Sequence, residues 1–338
     1  MTEMKRGSEE VRSFQGFLTF PKPIFCQPDG LGAAYESAIG GFACEVLLPH
    51  FPSGEAKPGA ALLSPPPVDE HRAQLLSQRR WGSVTHDTGQ AAVEAALVRF
   101  DMGVPAANLE RPVTDAGVDL MVPPAASFHR DFRQGLSWWF DEFTAWLTAW
   151  SGQVMDPDLA PRSPHAEVWE LGSRGPSTQG SGTVLGGVAF NRSDTAADYY
   201  VIERAFFRAG QGRSFPLAHR LLRNAHKSDG RLALIDAATA AEVAVSETLK
   251  TLFTGTDPEG KEDAIGTASG LVDLIKIHNG LAKVPLQISW KRAANQLANP
   301  RNRAVHAGEA PDARTLEQAL DVAKAIVEEC SPLPGPDG

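Results

Sequence analysis

Three cysteines in 338 residues, Cys26, Cys44 and Cys330, are too few and too scattered for a disulfide framework or a zinc site. A reducing compartment, the cytoplasm, is therefore the expected setting. Long apolar runs are missing as well. The most apolar stretch, residues 232–253, is interrupted by Asp236, Glu242 and Glu247, so no membrane span is expected. The opening residues MTEMKRGSEEVRS are polar throughout and carry no apolar core, so no secretory signal is expected. Positive charge is in short supply overall. Thirty-two Lys and Arg against 41 Asp and Glu leave a net charge of -9, which excludes a protein that coats nucleic acid by bulk electrostatics. What remains is 42% hydrophobic and 22% charged, the balance of a folded globular chain, and long enough for two domains with separate cores.

The charge is unevenly spread. Between Gln211 and Cys330 there are 15 Lys and Arg and 15 Asp and Glu, so the acidity lies ahead of that region. Within it, Arg213, Arg220, Arg223, Lys227 and Arg231 form a basic run interrupted only by Asp229. Lys291, Arg292, Arg301 and Arg303 form a second run without any acid. Each could be no more than a solvated helix face; together they mark this half as the one to meet an anion.

An α+β chain is expected, in two parts. Residues 1–193 read as a mixed α/β domain of unknown function, with strands at 17–20, 42–48, 92–100, 118–122, 167–171 and 183–190. Residues 52–67 are turn-rich and read as a long loop. One helix stands out at 127–150, where Phe132, Leu136, Trp139, Phe143, Trp146 and Trp150 alternate four and three apart. Such a stripe is a packing face or, less commonly, a ligand platform. Residues 194–330 read as helix after helix, and the Pro/Gly-rich residues 331–338 as a disordered tail. In the helical half, Pro216 opens a first helix running to 224. Residues 231–253, capped by Ser228 or Asp229, are apolar nearly all round and should form the centre of a bundle. Further helices are expected at 269–278, 289–297 and 313–329. Asn299 is expected to cap a separate turn that Pro300 begins and Gly308 ends.

That turn holds Arg301-Asn302-Arg303-Ala304-Val305-His306. The segment ANPRNRAVHAGEAP, with the amphipathic helix after it and the apolar RLALIDAATAAEVAVSETL before it, resembles the HEPN family, particularly its ApeA-like branch. The resemblance covers residues 215–329, and it implies an all-α bundle, a dimer across the motif surface and metal-independent RNA cleavage. The family pattern is an Arg, a polar residue often Asn, and a His four to six residues on, which here are Arg301, Asn302 and His306.

The residue chemistry fits. RNA carries its own nucleophile, the 2′-OH, so cleavage needs a base near neutral pKa, which His306 supplies. It also needs a fixed cation for charge growing on phosphoryl oxygens, which Arg301 supplies. Asn302 would orient the imidazole or contact the phosphate. Asn302 and His306 lie about 40° apart on a helix, whereas Arg301 lies about 140° from His306, so a facing second copy would complete the cleft. Arg303, Lys291 and Arg292 are candidate RNA contacts, and Glu242 a candidate to hold Arg301 or His306. Glu247, His219 and His226 are weaker candidates of the same kind. No metal or cofactor is implied. The expected partners are RNA, a second copy, and an antitoxin or trigger protein. The expected role is a toxin or anti-phage endoribonuclease; the alternative is a non-catalytic HEPN module binding RNA, a nucleotide or a protein.

Three other motifs are weaker. Asp87-Thr88-Gly89 lacks the apolar strand that precedes this tripeptide in aspartic proteases and reads as a turn. The glycines at 180–187 match no phosphate loop. His165-Ala166-Glu167 lacks the paired cysteines of a deaminase zinc site.

Overall fold

A computed structural model describes residues 9–51, 60–68, 76, 79–85, 90–105, 123–152, 165–170, 196–212, 214–253 and 265–335. The chain is α+β and divides into two compact units, Met1–Arg213 and Ser214–Pro336.

The first unit is built on a seven-stranded antiparallel sheet. Two long strands, β1 (Glu9–Cys26) and β6 (Ala91–Pro105), form its centre. On the far side of β6 lie β3 (Phe42–Leu47), then β2 (Ala34–Ile39); on the far side of β1 lies β7 (His165–Glu170). The short strands β4 (Ala60–Leu62) and β5 (Gly82–Thr85) extend the sheet from the start of β6. The β2–β3 hairpin closes over Gly40 and Gly41, with φ of 61° and 85°, a two-residue turn whose positive dihedrals exclude most side chains.

Two helices, α1 (Pro123–Ser151) and α2 (Tyr199–Gly210), pack together and against β2. Phe132, Leu136, Trp139, Phe143 and Trp146 are all buried, so the aromatic stripe is a packing face and not a ligand platform. Trp139, Phe143 and Phe206 stack on one another with centroids 4.3–5.6 Å apart. The indole N–H of Trp139 donates to Ser37 Oγ at 2.8 Å, and that hydroxyl donates to the Phe206 carbonyl at 2.7 Å, which ties both helices to the sheet. Strands expected at 17–20 and 92–100 fall within β1 and β6, that at 42–48 matches β3 up to Leu47, and the described part of that at 167–171 lies in β7. Those at 118–122 and 183–190, with Asp87-Thr88-Gly89 and the glycines at 180–187, lie outside the described residues.

Three features differ from expectation. The expected loop at 52–67 contains β4, and β2 and β5 gave too short an alternation to be read as strands. Helices follow from Tyr199, but the second unit begins at Ser214, so α2, within the expected helical part 194–330, buries Ile202, Ala205, Phe206 and Ala209 in the first unit. Ser331, placed in the tail, donates its backbone N–H to Val327 and accepts from His219 at 2.5 Å through its carbonyl.

The second unit is a helical bundle. Its helices are α3 (Leu217–Lys227), α4 (Gly230–Leu252), α5 (Leu271–Leu281), α6 (Trp290–Ala293), α7 (Asn299–His306) and α8 (Ala313–Cys330). A π-helical turn, Ala294–Ala298, joins α6 to α7. The central α4 touches α3, α5, α7 and α8. Its contact surface is largely alanine (Ala233, Ala237, Ala238, Ala240, Ala241 and Ala244), whose small side chains let neighbouring helices approach closely. Leu232 is 66% exposed, so the helix is not apolar-buried on every side. Asp229 occupies the N-cap position of α4 without a side-chain capping bond, whereas Asp312 caps α8 by accepting from the Thr315 N–H at 2.7 Å.

Candidate functional site

The motif sits at the end of a continuous helix, not in a separate turn. Ser289 starts the helix by accepting the Arg292 N–H on its hydroxyl at 3.3 Å. The chain then stays helical to His306. Asn299, expected to cap, is itself α-helical (φ -65°, ψ -46°), and its N–H reaches back five residues to the Ala294 carbonyl. The reason lies in Pro300. In a straight α-helix its ring would collide with the carbonyl of Gln296, and it has no N–H to offer. Widening the preceding turn to the π form accommodates the ring while keeping the helix intact. The helix ends where the Ala307 N–H bonds the Arg303 carbonyl at 2.9 Å and Gly308 turns left-handed at φ 71°.

Ala293, Leu297, Pro300 and Ala304 are the buried side of this helix and belong to the bundle core. The other side carries the motif. Asn302 and His306 are exposed, one turn apart on one face. Arg301 is half-buried; its Nη1 donates to Asn302 Oδ1 at 3.2 Å, which draws the guanidinium toward the Asn302 side of the helix. Its Nε is buried without an acceptor, a donor of the type a phosphate oxygen satisfies. His306 makes no hydrogen bond or ion pair among the described residues, so Arg301 and Asn302 are brought together and His306 stands free beside them.

The flanking candidates divide. Arg303 pairs with Glu309 at 3.4 Å, both well exposed, an ion pair of little energetic weight. Lys291 and Arg292 are exposed at the helix start, Arg292 Nε donating to Gln296 Oε1 at 2.8 Å. Glu242 makes no hydrogen bond or ion pair with Arg301 or His306. Its carboxylate lies near Gly270, 3.7 Å from where a Cβ would stand there. The cause is its position along α4. Arg231 Nη1, at the beginning of that helix, lies 3.9 Å from the Cβ position of Gly308 just after the motif, and Glu242 stands eleven residues, about 16 Å, further along the axis from Arg231. Glu247 is exposed and further still. His219 is committed to Ser331, and His226 is exposed.

Arg231 is the residue that sequence reasoning left out of the site. It was visible as the last cation of the first basic run, but only the fold shows that run ending beside the motif. Among the described residues, no group of three or more His, Cys, Asp or Glu is placed to hold a metal ion, and no helix is long and apolar enough to cross a membrane. In comparisons with known proteins, no family model, curated protein or solved structure matches the chain.

Proposed function

We propose that the second unit is a HEPN-type module that cleaves RNA without a metal, through Arg301, Asn302 and His306, as a homodimer. The observation that carries this reading is the arrangement at the end of α7. A cation with a buried unsatisfied donor, an amide bonded to it and an unengaged imidazole share the solvent side of one short helix.

In this reading Arg301 grips a phosphate, its free Nη protons meeting the non-bridging oxygens. Imidazole at His306 takes the 2′-OH proton, the oxygen attacks phosphorus, and the bond to the 5′-oxygen breaks, that oxygen taking a proton from water to leave as a 5′-hydroxyl. Negative charge growing on the phosphoryl oxygens is met by the guanidinium, which Asn302 holds in place. Arg231, Arg303, Lys291 and Arg292 supply further positive charge for the strand. Two copies facing through this surface put two imidazoles and two Arg301 guanidiniums around one cleft. A toxin or anti-phage effector, set off by a trigger protein or held by an antitoxin, is the biological role that fits such an activity in the cytoplasm.

The test is a comparison of wild type with His306→Ala. Turnover should vanish while affinity for RNA stays within a few fold, because a neutral imidazole adds little to binding a polyanion. Cleavage by the variant at the wild-type rate would remove His306 from the chemistry. Light scattering should give a dimer; a monomer at all concentrations that cleaves RNA would contradict the shared cleft.

A further inference from the structure

At the other end of the same helix, Trp290 is 41% exposed, although it begins an element whose next turns are part of the core. Two ammonium groups attend its ring. Lys276 Nζ, from α5, is 5.2 Å from the centroid, and Lys291 Nζ is 5.6 Å away. Lys276 also pairs with Asp273 at 3.1 Å, and Lys291 has no acidic partner among the described residues. A large aromatic ring is thus partly open to solvent with two cations beside it. It has what an unpaired nucleobase needs: a flat surface for stacking, with positive charge close by for the flanking phosphates.

The π turn decides where this ring points relative to the motif. In a straight α-helix Asn302 and His306 would lie about 120° and 160° around the axis from Trp290, out of reach of a strand lying on it. The extra residue taken up by the π turn subtracts about 100°, which leaves them about 20° and 60° away, on the same side. Between them on that side stand Ala294 and Ala298, both half-buried and too small to obstruct a strand. The separation from Trp290 to His306 along the axis is roughly 24 Å, a few nucleotides of single strand.

The geometry points to Trp290, flanked by Lys276 and Lys291, as a base-stacking platform for single-stranded RNA whose scissile phosphate lies at Arg301–His306. A cation–π contact at an exposed site is weak, so an incoming base displaces an ammonium from the indole face and leaves it to a phosphate. The platform makes the enzyme prefer unpaired RNA, because bases within a duplex have no free face. The inference rests on the reading of α7 as an RNA-cleaving element, but its test reads binding and not cleavage.

The full-length chain carrying His306→Ala is titrated into a short labelled single-stranded RNA at low salt, followed by anisotropy, with and without Trp290→Ala. Affinity should fall between about fivefold and a hundredfold. Trp290→Phe should restore most of it, and affinity for a blunt duplex RNA should not change. The ring is only 41% exposed, so the Trp290→Phe variant, which keeps a ring there, is the stability control. Equal affinity of the two proteins, an equal loss for duplex and single strand, or no RNA binding at all would overturn the platform. So would a loss of dimer in Trp290→Ala with RNA affinity kept, which would assign this surface to a second copy. Wild-type cleavage with no effect of Trp290→Ala defeats the platform alone, and a clear effect in a protein that never cleaves RNA defeats the cleavage reading alone.

Discussion

Arg301→Ala separates a phosphate-gripping residue from a structural one, and the structure sets the size of each effect. The side chain makes a single hydrogen bond, to the exposed amide of Asn302, and leaves its buried Nε unpaired. Truncation therefore strands no buried partner, since Asn302 is free to turn to water. The expected change in stability is within about 0.5 kcal/mol of zero, or a shift of no more than about 4 °C in the unfolding of a unit of this size. Function should respond far more. Loss of one transition-state donor typically lowers turnover by roughly 10²–10³. Loss of one phosphate contact to a single strand lowers the slope of log affinity against log salt by about 0.7. Differential scanning calorimetry, a salt titration of RNA affinity and a cleavage time course measure the three quantities. A melting point lowered by ten degrees or so, with the salt slope unchanged, would refute the reasoning. Arg301 would then be a buried network member whose disruption costs about 1–3 kcal/mol per stranded group.

Other consequences concern the scaffold. A Cβ at Gly135 of α1 would stand 2.1 Å from Gly40 Cα, backbone that cannot yield cheaply; Gly135→Ala should cost at least about 1–3 kcal/mol and lower the first unit's melting point, and an unchanged melting point would show that helix and hairpin do not touch. The Asp312 carboxyl is held below its ordinary value of 3.8, chiefly by the Thr315 backbone N–H. A carboxyl depressed in the folded state contributes stability above the ordinary aspartate range that is lost as pH falls through the folded value. Asp312→Ala should therefore melt earlier than wild type at neutral pH, with the gap closing below about pH 4; a gap independent of pH would deny the capping bond a role. Burial pushes the Cys44 thiol up to about 12 and the Cys330 thiol up to about 11, and raises Cys26 as well. All three should resist alkylation at neutral pH until denaturant is added, and rapid labelling of the folded chain, read by mass spectrometry, would show that one of them is open.

Much of the helical architecture was legible because it rests on local pattern. The four-and-three spacing from Phe132 to Trp146 identified α1, and the nearly all-apolar stretch 231–253 identified the centre of the bundle. The π turn was not legible, for a definite reason. Ala293, Leu297, Pro300 and Ala304 fall on one side of the helix whether it is straight or carries one extra residue, so burial periodicity is blind to the difference. Only the backbone bond from Asn299 to Ala294 reveals it, and with it the side on which Trp290 meets the motif. The strand β2 was hidden because Ser37, a polar residue, faces the helices and is satisfied there by Trp139 and Phe206. The placement of α2 depends on long-range packing of Ile202 and Phe206, which local sequence does not encode. The same holds for Arg231 and Glu242, whose nearness to the motif or distance from it follows from how α4 is laid against α7.

The most direct measurement of the central claim is the chemistry of the RNA ends. Purified protein is incubated with total RNA in EDTA, beside the Arg301→Ala/His306→Ala double variant, and the products are resolved by their termini. An internal 2′-OH attack with His306 as base predicts cleavage by the wild type alone, leaving 2′,3′-cyclic phosphates and 5′-hydroxyls. Intact RNA, cleavage only on adding Mg²⁺, or products with 5′-phosphates and free 3′-hydroxyls would contradict it.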